Sequence, residues 1–503
     1  MKHGQDWPIP ESQPDPLTRR ELLTRGMFTI GAAMALPLTG ELAARRTAVN
    51  SFASVPPAGA PGLHSRPDLR IPGLAVDVNR SGTAPGLIFV SPFGPSGAQD
   101  GAVIADELGR PVWEYPVPHQ EIYNFTVQTY RGEPVLTWWQ GHLSGGHGVG
   151  IYVIANQNYE LIAHVEPGNG LQADLHEFLI TDRGTALVTS YVLAHVDLRP
   201  VGGSESGLVE DAVFQEVDLA SGRVLLDWHS LDHIPLTESQ WPLTPWPWDY
   251  VHINAIDVDS DGQLLVSSRN THTVYKIDRS SGAIVWRLGG RHSDFAMGPG
   301  ASFAWQHGPR RQADGTLTVF DNEGSPHAGP QSRAIVLEVD EQRRTARLKR
   351  QFLHPQALQS SSLGSVQLLP NGNVFVGWGA EPFVSEFSPS GELLFDARLG
   401  DGYQSYRAFR VPWRANGQGQ PAIVAAAQGA RSTNLWVSWN GDTEVARWQV
   451  LAGARPDALK PLTSVPRTGF ETAIALDGRP RQLAVIGFDA ASRPLGQSMT
   501  LAV

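Results

Sequence analysis

The sequence predicts an all-β chain: a six-bladed β-propeller followed by a small β-sandwich of fibronectin type III-like (Ig-like) kind. Three observations carry that prediction. A paired strand phrase recurs between residues 85 and 413, Gly-bearing turns separate the alternating apolar runs, and the composition suits many short strands. Of 503 residues only 18% are charged, whereas Gly (52), Pro (38) and Trp (15) are plentiful. That profile argues against a coiled coil, and 41% hydrophobic content argues against wholesale disorder. The length fits a large domain plus a smaller one.

In chain order, residues 1–44 read as an export signal. Arg19 and Arg20 stand just ahead of a modest apolar stretch, MFTIGAAMALPL at 27–38. Paired arginines before a short, weakly hydrophobic segment mark a twin-arginine signal, which implies export by the twin-arginine translocase and a secreted or extracytoplasmic location. The stretch falls short of the about 20 apolar residues a membrane-spanning helix needs, so no integral membrane domain is expected. Residues 45–84 are Pro/Ala-rich and read as a tether and lead-in.

The repeat follows. One phrase reads RGEPVLTWW at 131–139, DRGTALVTSY at 182–191, SDGQLLVSSR at 260–269, ADGTLTVFDN at 313–322 and PNGNVFVGWG at 370–379. Asp-Gly and Asn-Gly between alternating runs are hairpin signals, here read as type I′ turns. A second phrase follows each, as in FQEVDLASGRVLLDW at 214–228 and VYKIDRSSGAIVWRL at 274–288, with an earlier copy at 103–115. Two hairpins per unit make four strands, and six units make a six-bladed propeller over 85–413. The Trp of VYKIDRSSGAIVW suits a residue that pins one blade to the next. From 414 to 503 the pattern changes to roughly seven short strands, which reads as a fibronectin type III-like sandwich serving as spacer or binder.

Composition excludes several chemistries. Lys+Arg 39 against Asp+Glu 50 leaves a net charge of −11, the wrong sign for a nucleic-acid binder. With no Cys, thiol catalysis, disulfides, Fe–S clusters and thiolate zinc sites are all excluded.

The repeat phase supplies the candidate site. At the residue opening each inner hairpin, successive units carry His176, His252, His307 and Ser365. Three histidines at one phase of a circular repeat converge on one axial funnel. Seven residues past the hairpin Gly the units carry Tyr191, Arg269, Asn322 and Gly379. The guanidinium of Arg269 is a planar fork suited to a tetrahedral oxyanion. Asn254 shares a strand face with His252. A His3 zinc site is conceivable, but an imidazole nucleophile with Arg and Asn holding an anionic group accounts for more of the residues.

The segments WPWDYVHINAIDVDSDGQLLVSSRNTHTVYKIDRSSGAIVWRLGG at 246–290, FAWQHGPRRQADGTLTVFDN at 303–322, GSVQLLPNGNVFVGWG at 364–379 and SYRAFR at 405–410 resemble the bacterial arylsulfotransferase (aryl-sulfate sulfotransferase) family. The resemblance implies a six-bladed propeller that moves a sulfuryl group from an aryl sulfate to a phenol, independently of 3′-phosphoadenosine phosphosulfate, by a ping-pong mechanism through a sulfohistidine. It makes His307 the nucleophile and His252 an acid/base partner with Asn254 beside it, while Arg269 and His176 bind the sulfuryl oxygens. It implies small aryl sulfates and phenols as partners, and neither cofactor nor metal. The absence of Cys and the C-terminal sandwich depart from relatives that carry a disulfide and an N-terminal dimerisation domain, which marks a divergent branch.

In this scheme His307 attacks as the neutral imidazole and a protonated His252 assists departure of the phenolate. Arg269 and Asn254 stabilise the SO3-like transition state. Trp246, Trp248 and Tyr250, just before His252, are the candidates for stacking the aryl ring. The alternative readings are a non-catalytic exported ligand-binding propeller and a metal- or quinone-dependent propeller enzyme.

Overall fold

Strand residues in a sheet packed on both faces must be apolar in both phases of the two-residue period, and the central strands of this protein are. In the strand Arg333–Asp340, Ile335 and Leu337 pack toward the preceding sheet while Ala334 and Val336 pack toward the next. Leu264 and Val266 likewise face one neighbour and Leu265 the other. The computed structural model describes residues 62–503 except 71, 96–98, 324–328 and 430, so the twin-arginine segment with Arg19 and Arg20 lies outside the described residues.

Six antiparallel sheets built on four strands each follow one another, and one of them adds a short strand, Ala296–Met297, parallel to its outer strand Thr345–Phe352. Sheet I contains Leu87–Phe93, Gly101–Ala105 and Pro111–Pro116; sheet II, Glu121–Tyr130 to Leu161–Val165; sheet III, Phe178–Ile180 to Val224–His229. Sheet IV runs from Ile253–Val258 to Ile284–Gly289, sheet V from His307–Arg311 to Thr345–Phe352, and sheet VI from Ser365–Leu368 to Leu393–Arg398. A separate hydrophobic cluster fills each space between successive sheets, including the space between sheets VI and I. The ring is therefore closed. Its closure uses the strand Gln404–Val411, which returns to become the fourth strand of sheet I beside Leu87–Phe93.

The tryptophan reading holds in detail. Trp228 of sheet III donates its indole N–H to Gly282 O in the next sheet's outer turn (2.9 Å), and Trp286 of sheet IV reaches Glu341 in sheet V (3.0 Å). Trp113 of sheet I stacks on Tyr159 of sheet II.

Two expectations need correction. Residues 75–79, expected within a lead-in, form a fifth, outer strand on sheet VI, and the Ser65 side chain is bonded to Glu471. The inner hairpin turns are also not all type I′. That type needs two residues at positive φ, and the Arg131–Gly132 pair qualifies (φ 53° and 84°). At Asp259–Gly262 and Gln312–Gly315 only the glycine is left-handed (φ 83° and 82°), which is a type I turn closed by a left-handed glycine.

Beyond the ring, sheets of three and four principal strands enclose one core that includes Leu435, Val437, Trp448, Val450 and Val485. This unit rests on sheet I. The Asn440 side chain accepts from Glu114 N–H (3.0 Å) and donates to Glu114 O (2.9 Å), as a β-bridge would. Among the described residues, no helix is long and apolar enough to cross a membrane.

At the ring's centre Glu177 is completely enclosed. It accepts from Arg407 (3.0 and 3.1 Å), from Arg310 (2.6 Å), from the Asn124 amide (3.1 Å) and from Ile256 N–H (3.1 Å). Burial alone would raise its pKa, but Arg310 and Arg407 bring it down to about 2. Replacing Arg407 with Ala should cost about 3–5 kcal/mol, because a buried carboxylate loses its main partner. The midpoint of chemical denaturation measures this, and adding Glu177→Gln should recover part of the loss.

Candidate active site

Each predicted histidine sits where an inner strand begins. His307 opens the inner strand of sheet V, His252 precedes that of sheet IV by one residue, and His176 precedes that of sheet III by two. The backbone there is forced. His252, Trp305 and Leu363 adopt left-handed φ of 56°, 57° and 65°, each costing of order 1–3 kcal/mol. The inner hairpins carry register shifts at 253/255 and 307/310. Bulges of this kind re-aim side chains at the rims of sheets.

All five predicted catalytic residues come together. The rings of His176 and His252 meet edge to face at 4.6 Å between centroids. Asn254, wholly buried, donates to Gln306 O (2.7 Å) and leaves Oδ1 without a partner. Arg269 lies with its guanidinium over Trp305 (5.0 Å) and Trp241 (5.6 Å). It donates to Asn270 Oδ1 (2.9 Å) and Ser361 O (3.2 Å), and its Nε has no partner. Burial lowers its pKa to about 10, which leaves it charged at neutral pH. Asn270 in turn anchors to Asp249 O (2.6 Å). His272 packs edge-on against Trp305 at 4.1 Å.

The tautomer of His307 follows from its neighbour. Asn322 donates through Nδ2 to Ser360 O and Leu363 O, each at 3.0 Å, so its Oδ1 must be the atom facing His307. An oxygen at 2.7 Å from Nδ1 requires a proton on Nδ1. The lone pair is therefore on Nε2, which accepts a long bond from Leu363 N–H (3.2 Å). Burial first, then the charge of Arg269, hold His307 well below the ordinary imidazole pKa. A neutral ring with a lone pair on Nε2 beside a fixed cation is the state a nucleophile toward an anionic ester needs.

Sequence reasoning gave the carboxylates no role in the site, since they lie off the histidines' phase, and missed a fourth histidine. Asp174 accepts from His176 Nδ1 (2.6 Å), and Asp249 accepts from His252 Nδ1. Their spacings, Asp-x-His and Asp-x-x-His, were the available signal. His147 enters from sheet II, at the tip of the hairpin Glu133–Ser144/His147–Ala155, which no repeat phase marks. Its ring lies 3.7 Å from Tyr191 and 5.2 Å from His252. Its Nε2 contacts Glu210 (2.8 Å) and Asp249 (3.4 Å). Burial opposes a proton on His147, but Asp249 and Glu210 overcome it and raise its pKa well above the ordinary value. His252 goes the other way. Burial outweighs Asp249 and lowers it to about 4. The expected protonated His252 is thus corrected to a neutral imidazole at rest.

The aryl-binding expectation also fails. Trp248 and Tyr250 are buried in the core between sheets III and IV, where Tyr250 bonds Ile234 O (3.2 Å). Trp246 is 67% exposed and lines a separate surface groove of about 300 Å³ with Leu198 and Leu243. Residues just before a strand point wherever the loop turns, and this loop turns away from the funnel. The aromatics that do border the site are Trp241, Trp305, Tyr191 and Tyr406.

Replacing Asn322 with Ala should lower turnover about 10-fold or more, because the tautomer-fixing acceptor is lost. Asn322→Asp should restore the bond but place a carboxylate on Nδ1, lifting the imidazole pKa and moving the acid limb of the pH–rate profile upward. Steady-state kinetics across pH check both.

No curated protein matches this chain. Among solved structures it is similar to a protein of unknown function from Bacteroides caccae (14% identity, TM-score 0.39, 65% of this chain and 98% of that one). It is also similar to virginiamycin B lyase from Staphylococcus aureus (9% identity, TM-score 0.32, 73% of this chain and 95% of that one). The sequence pattern of the arylsulfotransferase (ASST) family matches residues 126–400, a span holding His147, His176, His252, Asn254, Arg269, His307 and Asn322. With more than half of its length matched, the chain belongs to the arylsulfotransferase family.

Proposed function

We propose that this protein transfers a sulfuryl group from an aryl sulfate to a phenolic acceptor in a ping-pong cycle through a sulfohistidine at His307, without 3′-phosphoadenosine phosphosulfate. The observation that carries the reading is the Asn322–His307–Arg269 arrangement. It supplies a neutral imidazole with its Nε2 lone pair defined and a guanidinium whose Nε is unspent.

Nε2 displaces its long bond to Leu363 N–H and attacks sulfur. The N–S bond forms as the S–O(aryl) bond breaks, and the electron pair leaves with the phenolate. Arg269 holds the sulfuryl oxygens, and His176, whose Nδ1–H is given to Asp174, joins it through Nε2–H as the imidazolium. One strong donor in such a site contributes about 3–4 kcal/mol to the transition state. In the second half-reaction His252, neutral and fixed by Asp249, takes the proton of the incoming phenol through Nε2. Phenol oxygen then attacks sulfur, and His307 leaves with its lone pair restored. The proton on His252 passes to the next departing phenolate. Trp241, partly exposed beneath Arg269, takes the aryl-stacking role first given to Trp246, Trp248 and Tyr250.

Incubation with 4-nitrophenyl sulfate should add about 80 Da, one sulfuryl group, to the intact protein. The adduct should map to His307 and vanish in His307→Asn. Because burial keeps this ring neutral, the rate of nitrophenolate release should not fall as pH drops through about 6.5, the ordinary imidazole value. An adduct elsewhere, or undiminished turnover in His307→Asn, would overturn the assignment.

A reaction without a nucleotide donor suits work outside the cytoplasm, and we assign that location to the protein from its Arg19–Arg20 segment. Replacing both arginines by Lys should hold the full-length chain in the cytoplasm, as cell fractionation would read. Normal export of that variant removes the twin-arginine reading.

A further inference from the structure

We propose that His147, His176 and His252 bind one divalent transition-metal ion; sulfuryl transfer does not require it, and because it takes the same Nε2 atoms of His176 and His252, metal loading and the proposed transfer are alternative uses of one pair of side chains. One ring nitrogen of each histidine lies within 4.8 Å of one from each of the others. The nitrogens available for an ion follow by elimination. His176 commits Nδ1 to Asp174, His252 commits Nδ1 to Asp249, and His147 commits Nε2 to Glu210. This leaves Nε2 of His176, Nε2 of His252 and Nδ1 of His147. The last belongs to a side chain only 8% exposed and has no hydrogen-bond partner. A buried imidazole nitrogen with no hydrogen bond, with Asp174 Oδ1 4.0 Å away, needs an explanation, and an ion supplies one.

The surroundings are those of a metal centre. Ligating histidines characteristically hand their second nitrogen to a carboxylate, which fixes ring orientation and raises the basicity of the ligand. All three rings do so here. Three carboxylates, Asp174, Asp249 and Glu210, thus converge on three imidazoles, a concentration of negative charge that a dication offsets. Tyr191, tilted by 31° against His147 with ring centroids 3.7 Å apart and bonded to Ile253 O (2.9 Å), packs against the ring. Zinc at about 2.0–2.1 Å from each nitrogen would draw the three to about 3.3 Å from one another.

Once the ion displaces the second proton of His147, three neutral nitrogen donors favour zinc, copper, nickel or iron over magnesium or calcium. Three protein ligands leave a fourth position open, as at metal sites that polarise a substrate oxygen. His147 Nε2 with Glu210 and Asp249 offers a second cluster of donors, but its members are already hydrogen-bonded to one another. Once Nε2 of His252 is coordinated it neither gives nor takes a proton. Metal loading therefore replaces an acid–base partner with an electrophile able to hold a phenolate or sulfuryl oxygen.

The test reads the metal and not turnover. The full chain, stripped with chelator and titrated with cobalt(II), should bind one equivalent and develop the visible absorption of a low-coordinate nitrogen site, with zinc displacing the cobalt. His176→Ala and His147→Phe, the latter chosen to keep the volume filled and checked for folding by circular dichroism, should each abolish the band. Glu210→Gln should weaken binding roughly 10–100-fold. His307→Asn should bind cobalt like the parent while losing the sulfuryl adduct, so the two readings can fail separately. Absence of a stoichiometric cobalt spectrum in the parent, or an unchanged one in both His147→Phe and His176→Ala, overturns the proposal.

Discussion

Glu177 and Arg407 form the contact on which the rest of the ring depends. Arg407 arrives on the closing strand of sheet I and reaches Asn124 of sheet II, Glu177 and His176 O of sheet III, and Asn254 O of sheet IV. Arg310 of sheet V joins from the far side through Glu177. Five sheets thus meet at one carboxylate. The same carbonyls that Arg407 holds belong to His176 and Asn254, and the hydroxyl of Tyr406 lies 3.0 and 3.1 Å from them. The ion pair that closes the ring therefore also fixes the backbone from which the site's side chains project. A buried ion pair contributes less to net stability than to a defined arrangement, and here the arrangement is the site.

Above that floor the electrostatics are divided. On one side, carboxylates partner His147, His176 and His252. On the other, His307 has an amide and a guanidinium beside it, and its ring bonds to Asn322, Trp305 O and Leu363 N–H. The same side chain is thereby put to two uses. A carboxylate on Nδ1 makes an imidazole a better ligand or proton carrier, while an amide on Nδ1 fixes the tautomer without inviting a second proton. Arg269, clamped between indoles, adds positive charge where an anionic ester would need it and where proton uptake by His307 would be harmful.

Much of this was legible in the sequence, because a circular repeat converts phase into position. His176, His252 and His307 share a phase and so share an end of the ring, and Asn322 and Arg269 follow by the same rule. The strands were legible because each must serve two neighbouring cores. What escaped lies off the repeat. His147 comes from the tip of a long hairpin in sheet II, Asp174 and Asp249 from loops before the inner strands. Trp246, Trp248 and Tyr250 were misplaced because nearness in sequence to His252 does not constrain the direction of a loop, and a large aromatic is at least as useful between sheets. The strand at 75–79 was hidden by a composition shared with linkers, since an outer strand gains little from apolar alternation.

The closing strand sets an order on the life of the chain. Arg407 is made 230 residues after the carboxylate it must meet. While the ribosome is still working, Leu87–Phe93 lacks its inner partner and is an open edge, the kind that recruits other chains. A chain that ends before Gln404 leaves Leu87–Phe93 without that partner and Glu177 without Arg407. The last strand of the ring thus completes two things at once, the inner edge of sheet I and the ion pair under the histidines.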